Sequence, residues 1–90
     1  MHYEWDSEKS AVDLRKHGVG FADAVAVFED ERALSREDTH AYGEYRFVTL
    51  GQDGFGRLLV VVYTLRGDTF RIISARKATA REIQVYERNR

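Results

Sequence analysis

Two segments near the N-terminus have the pattern of helices. Asp6 or Ser7 suits a helix N-cap, and a polar segment then runs to Lys16. We expect Ala11 and Leu14 to face inward in this first helix. A second, shorter helix is predicted by four apolar residues that recur at i, i+3, i+4 and i+7, namely Phe21, Ala24, Val25 and Phe28.

Strand patterns dominate after residue 30. Strands are predicted over residues 32–36, 45–50, 58–63 and 69–76, and residues 3–5 can form a short edge strand. The run 58–63 is apolar throughout, which fits a central strand covered on both faces. Thr79 and Glu82 have the spacing of a capping box and predict a C-terminal helix, with Ile83 and Tyr86 on its inner face.

This order of elements predicts an α+β fold. We expect two N-terminal helices, an antiparallel β-sheet meander and a C-terminal helix, folded as one domain over residues 1–90. Strand and helix do not alternate after residue 30, which argues against a parallel doubly wound sheet. Hydrophobic residues make up 43% of the chain and charged residues 32%, a globular balance.

Composition excludes several classes of protein. The chain has no cysteine, so disulfides and thiolate metal sites are excluded. No apolar run approaches the roughly 18 residues that a membrane span needs, and the N-terminus lacks the pattern of a signal peptide. We therefore expect a cytoplasmic protein that does not bind membranes.

Local motifs for metals and nucleotides are also missing. The three histidines, His2, His17 and His40, have no metal-ligand spacing, so no metal and no cofactor is predicted. The glycine-rich segment 51–56 lacks the Lys-Ser/Thr ending of a phosphate loop, and a strand follows it where a helix should stand. It is therefore interpreted as a hairpin loop.

The charge is uneven along the chain. Residues 1–56 carry a net charge of −6 and residues 57–90 one of +5. Arg66 is predicted at a hairpin tip, with Arg71 and Arg76 on the last strand. Their odd separation puts Arg71 and Arg76 on opposite faces unless a bulge intervenes. Arg76 and Lys77 precede a helix N-terminus, where an anion such as phosphate is favoured; the alternative is a charged, solvated strand edge.

Two further positions could carry acid–base chemistry. Glu44, Tyr45 and Arg46 form a mixed cluster at a strand start, which is either an ion pair or a general base held by cations. His17 stands at a helix end, where it is either a cation stabilised by the helix dipole or a catalytic acid.

Several segments together resemble the BrnT family. They are residues 4–6 (Glu-Trp-Asp), 16–19 (Lys-His-Gly-Val) with Phe21, 43–46 (Gly-Glu-Tyr-Arg), and 71–79 (Arg-Ile-Ile-Ser-Ala-Arg-Lys-Ala-Thr) with Glu82 and Tyr86. The sequence departs from the usual family pattern at Ser7, where proline is common, and at Asp13, where asparagine is common. The resemblance implies a RelE-like fold and a toxin of a type II toxin–antitoxin module that cleaves RNA to arrest translation. It also implies a DNA-binding antitoxin of the BrnA, ribbon-helix-helix type.

The resemblance suggests a site for metal-independent RNA cleavage. The predicted phosphate-stabilising residues are Arg66, Arg71 and Arg76. Glu44 or His17 is the predicted base or acid, and Tyr86 a donor or stacking surface. The predicted RNA-backbone contacts are Lys16, Arg46 and Lys77. The alternative is a non-enzymatic nucleic-acid-binding or protein-interaction module, in which the same arginines contact phosphate without catalysis.

Overall fold

The structure is a computed structural model that describes residues 1–38 and 45–89. Its elements, in chain order, are β1 (His2–Trp5), α1 (Ser7–His17), α2 (Phe21–Ala24), a 3-10 helix (Val25–Glu29), β2 (Leu34–Asp38), β3 (Arg46–Gln52), β4 (Leu58–Arg66), β5 (Thr69–Lys77) and α3 (Ala80–Arg88). Within the described part of the chain, no helix has the length and apolar character needed to cross a membrane.

The five strands form one sheet in the order β1-β5-β4-β3-β2. The pairs from β2 to β5 are antiparallel, whereas β1 runs parallel to β5. The α+β class is therefore confirmed, but the predicted order of helices followed by an antiparallel meander is wrong. Strand β1 precedes the helices, and the sheet is mixed because β1 pairs in parallel with the last strand, β5.

One face of the sheet, here called the helical face, packs against α1, α2 and the 3-10 helix. Its core joins residues of the helical segment to inward residues of β4 and β5: Val19, Phe21, Ala24, Val27, Leu59, Val61, Tyr63, Ile72 and Ala75. The predicted apolar helix face 21–28 thus lies in or against the core. A Cβ at Gly51 would lie 2.9 Å from a Val27 side-chain carbon, so this glycine permits β3 and the 3-10 helix to approach closely.

The orientation predicted for α1 is wrong. Ala11 and Leu14 are exposed, and the buried residue of the helix is Asp13. Its carboxylate accepts hydrogen bonds from Lys9 Nζ at 2.6 Å and from the Ala75 backbone N–H at 3.1 Å. Burial alone would raise the pKa of Asp13, but these bonds and the nearby cations hold that pKa below its ordinary value. A buried carboxylate, rather than an apolar stripe, therefore attaches α1 to β5.

A β-bulge in β5 changes which side chains share a face. Val62 pairs with Ser74, but Tyr63 pairs with Ile72, so Ile73 is an extra residue in β5. The bulge places Arg71 and Arg76 on the same face, opposite α1, α2 and the 3-10 helix. We call it the open face, because within the described residues only α3 packs against it.

Helix α3 begins as predicted. The Thr79 hydroxyl accepts a hydrogen bond from the Glu82 N–H, and the Glu82 carboxylate accepts one from the Thr79 N–H, which completes the capping box. Tyr86 is buried on its inner side. The helix crosses one end of the open face. Arg66 and Arg71 lie towards the other end.

Candidate functional site

One position from each strand contributes to a transverse row on the open face. Glu4 pairs with Arg71, Arg71 pairs with Thr64, and Asp38 pairs with Arg46. Arg46 continues the row one position beyond the last β3–β4 pair. We call Glu4, Arg71, Thr64, Arg46 and Asp38 the arginine row. Its members are far apart in sequence, and strand register alone brings them together.

Two guanidinium groups converge on one carboxylate at the β1 end of this row. Arg71 Nη1 lies 3.5 Å and Arg66 Nη1 3.9 Å from Glu4 Oε1. Alternation along β4 places Arg66 and Thr64 on the same face. Because these groups are partly exposed and the distances long, the pairing is weak and an incoming anion can compete with Glu4 for both guanidiniums.

Thr64 lies between Arg71 and Arg46 in the arginine row. It is only 3% exposed, and among the described residues its hydroxyl has no hydrogen-bond partner. A buried hydroxyl without a partner costs about 1–3 kcal/mol. The row therefore contains a polar group whose hydrogen-bonding capacity is unused within the described residues.

Arg76 lies on the same face but in a different environment. Two side-chain steps separate it from Arg71, about 13 Å along β5. Its guanidinium donates two hydrogen bonds to the Glu82 carboxylate, at 2.8 and 3.0 Å. These bonds lower the pKa of Glu82 to about 2 and raise the pKa of Arg76. Arg76 therefore connects β5 to α3.

Lys16, His17 and Lys77 form a separate basic cluster on the helical face. Lys16 and His17 end α1, and a Cβ at Gly18 would lie 3.7 Å from Lys77 Nζ. Arg57 Nη1 donates a hydrogen bond to the Gly18 carbonyl at 3.1 Å. The charges of Lys16, Lys77 and Arg57 complement the negative end of the α1 dipole. The structure does not bring the basic cluster to the arginine row.

Another predicted site residue, Tyr86, is also separate from the row. The Tyr86 hydroxyl donates a 2.6 Å hydrogen bond to Asp30 Oδ2 near the β3–β4 turn. This end of β3 is about 20 Å along the strand from Arg46. Glu44, which with His17 is a predicted base or acid, lies outside the described residues.

The cavity beside Asp30 and Tyr86 does not suit a phosphate. It encloses about 520 Å³ near the β3–β4 turn, and its lining includes four carboxylates, Glu29, Asp30, Glu31 and Glu87. Negative charge of this density repels an anionic ligand. Among residues 1–38 and 45–89, no group of three or more His, Asp or Glu side chains is placed to hold a metal ion.

Sequence reasoning missed Glu4 and Thr64 as members of the site. Glu4 is 67 residues from Arg71 in the chain, and only the parallel β1–β5 pairing joins them. Thr64 directly follows the apolar run 58–63 in β4, and its hydroxyl after that run was the available signal.

The fold and this site define a class: a small α+β protein with α1 and α2 on one sheet face, and α3 and an arginine row on the other. A family model described as "Ribonuclease toxin, BrnT, of type II toxin-antitoxin system" matches residues 5–82. The chain therefore belongs to the BrnT family, as its sequence motifs predicted. This membership confirms the predicted function, a ribonuclease toxin, and implies an RNA target and an antitoxin partner.

A solved structure supports the fold. The chain is similar to the ribonuclease toxin BrnT of Brucella abortus, known from a crystal structure at 1.1 Å resolution. The TM-score is 0.64 and the sequence identity 20%, over 88% of this chain and 99% of the other. At this identity the likeness concerns the fold alone. No curated protein sequence matches the chain.

Proposed function

We propose that the arginine row, together with Arg66 beside it, binds the scissile phosphodiester of an RNA strand and that cleavage needs no metal ion. The observation that carries this proposal is the convergence of Arg66 and Arg71 on the Glu4 carboxylate, at 3.9 and 3.5 Å. A carboxylate and a phosphate both present anionic oxygens that guanidinium groups bind. In this proposal the phosphate takes the place of Glu4 between the two arginines.

The proposed reaction uses the nucleophile that RNA itself carries. The 2′-oxygen attacks the adjacent phosphorus, and the bond from phosphorus to the 5′-oxygen breaks. A base accepts the 2′-proton, and an acid donates a proton to the 5′-oxygen that leaves. The products are a 2′,3′-cyclic phosphate and a 5′-hydroxyl. Arg66 and Arg71 stabilise the extra negative charge on the pentavalent phosphorus.

The other predicted residues take different places in this proposal. Arg46 contacts the backbone of the RNA beside the scissile bond, because it lies in the same row. We keep Glu44, two residues before Arg46, as the proposed base. It is preferred to His17, which ends α1 on the other face of the sheet. In this proposal Arg76 and Tyr86, which were predicted as catalytic, instead stabilise the fold, because each hydrogen-bonds a carboxylate of the protein.

The two basic residues beside His17 are proposed to bind RNA away from the reaction. Lys16 and Lys77 extend the positive field at the end of α1, where a flanking part of the strand can pass. The proposed consequence of cleavage is arrest of translation. We further propose that the antitoxin is of the BrnA, ribbon-helix-helix type and that the toxin acts in the cytoplasm.

The test is to incubate the purified chain with single-stranded RNA in the presence of a chelator. We expect cleavage with 2′,3′-cyclic phosphate ends, and none of an otherwise identical RNA that is 2′-O-methylated at every position. Cleavage that stops with the chelator would contradict metal independence. A salt-sensitive complex with RNA and no products would favour the non-enzymatic binding module instead.

A further inference from the structure

A second feature of the open face lies where α3 crosses the sheet. Aliphatic side chains from three strands and the helix line a groove of about 220 Å³: Leu34, Val48, Leu50, Val60 and Val85. Val85 remains 44% exposed. We call these five residues the aliphatic groove. Its lining also includes Arg36 and Glu82, and Glu82 is already paired with Arg76.

The charges around the groove are mostly positive and not neutralised. Arg36 lies on the edge strand β2, and Arg81 and Arg88 follow the same helical stripe as Val85, at i−4 and i+3. All three are exposed, and none forms an ion pair with another residue that the structure describes. An occupant that buries the groove and is attracted to its rim therefore combines aliphatic and acidic side chains.

The groove and the arginine row are neighbours on one surface. The pair Leu50–Val60 lies two side-chain steps from the row, about 13 Å, and Val48 and Val62 lie between them. A segment long enough to fill the groove and reach the row needs about four extended residues or about nine helical ones. One short segment can thus cover both.

From these observations we propose that the aliphatic groove is the docking site of the antitoxin, for a segment with aliphatic side chains in the groove and an acidic side chain at the arginine row. The proposal rests on the proposed function in one respect: the segment would inhibit cleavage by excluding RNA from that row. The partner is taken to be protein rather than RNA because none of the described residues that line the groove is an aromatic residue on which a base can stack.

The decisive variant is Val85→Glu, compared with Val12→Glu as a matched control. Val12 is 43% exposed on α1, on the other side of the sheet, so both changes put a carboxylate at an equally exposed valine of a helix. Glutamate has at least the helix propensity of valine, so both variants should fold. Neither residue belongs to the arginine row.

Two readouts separate the docking proposal from the cleavage proposal. The first is the Kd for the purified antitoxin of the same module, measured by calorimetry without RNA. The second is the rate of RNA cleavage without antitoxin. We expect Val85→Glu to raise the Kd about tenfold or more while cleavage stays within about twofold, and Val12→Glu to change neither.

The opposite results overturn the inference. An unchanged Kd for Val85→Glu would show that the groove is not the antitoxin site. A slower cleavage rate with an unchanged Kd would show that the groove binds RNA and not the antitoxin. Should Val85→Glu melt at a much lower temperature than the parent, Val85→Lys and Arg36→Glu provide the same Kd comparison. Absence of cleavage by the parent would refute the proposed function and leave the Kd comparison intact.

Discussion

The two ends of β5 present arginines on the same face with different partners. Arg71 faces a single carboxylate oxygen of Glu4 at 3.5 Å, which Arg66 also approaches. Arg76 makes two hydrogen bonds at 2.8 and 3.0 Å to Glu82, which in turn caps α3. A guanidinium with a loosely held carboxylate can exchange it for a phosphate. One with a bidentate partner on a capped helix stabilises the fold instead.

The largest expected effect is on catalysis at the Arg71 end. We expect Arg71→Ala to lower the cleavage rate by about 10²–10³, because one cation that stabilises the transition state is lost. The free energy of unfolding should change by less than about 1 kcal/mol, since the Glu4 pair is weak and partly exposed. Single-turnover cleavage and chemical denaturation of the same preparation measure both.

At the Arg76 end the expected effect is on stability. Arg76→Ala removes both hydrogen bonds to Glu82 and should lower the free energy of unfolding by about 1–3 kcal/mol. Glu82→Gln is the matched variant, because glutamine retains the capping-box geometry without the charge. A double-mutant cycle then isolates the coupling between the two residues. Were the folded Arg76→Ala protein to lose cleavage as Arg71→Ala does, the division between the two ends would be wrong.

Low pH should weaken the interaction between Arg76 and Glu82 and so lower the stability of the protein. The pKa of Glu82 is lowered from 4.5 to about 2 by the hydrogen bonds from Arg76. A carboxylate with a depressed pKa contributes stability above its unfolded pKa, and that contribution is lost as pH falls through the folded pKa. We expect the parent to lose about 1–2 kcal/mol more than Glu82→Gln between pH 5 and about pH 2, after allowance for solvent screening. Urea denaturation at several pH values measures this loss of unfolding free energy. An equal loss in the parent and in Glu82→Gln would contradict the prediction.

The smallest expected effect concerns the hydroxyl in the arginine row. Thr64→Val replaces a buried hydroxyl, which has no partner among the described residues, by a methyl group of similar size. We expect the free energy of unfolding to rise by about 1 kcal/mol. Cleavage should fall a few-fold, because valine cannot donate the hydrogen bond that we expect the hydroxyl to give the bound phosphate. Greater stability with unchanged cleavage would remove Thr64 from the proposed site.

Much of the secondary structure could be predicted from local pattern. The capping box at Thr79 and Glu82 and the central apolar strand are local in sequence, and both agree with the structure. The inward face of α1 was predicted wrongly because an apolar pattern was assumed to mark the buried side. Asp13 is buried instead, since its carboxylate accepts the Ala75 N–H beyond the point where β1 ends.

The site could be predicted only in part. Arg66 and Arg71 were identified by residue type and position, but Glu4 was not, because the parallel pairing of β1 with β5 depends on the whole helical segment between them. The predicted RNA-backbone contacts also combined residues that the structure places on different faces of the sheet. Lys16 and Lys77 lie on the helical face, whereas Arg46 lies in the arginine row.

By itself, the sequence determined the types and approximate limits of most elements, the cationic C-terminal part and the family. These are local properties, set by side-chain periodicity, capping and charge. Tertiary structure alone decided which arginines share a face, because strict alternation puts Arg71 and Arg76 on opposite faces and the extra residue Ile73 reverses this. It also decided which carboxylate each arginine meets, since strand register and helix docking depend on contacts between distant parts of the chain.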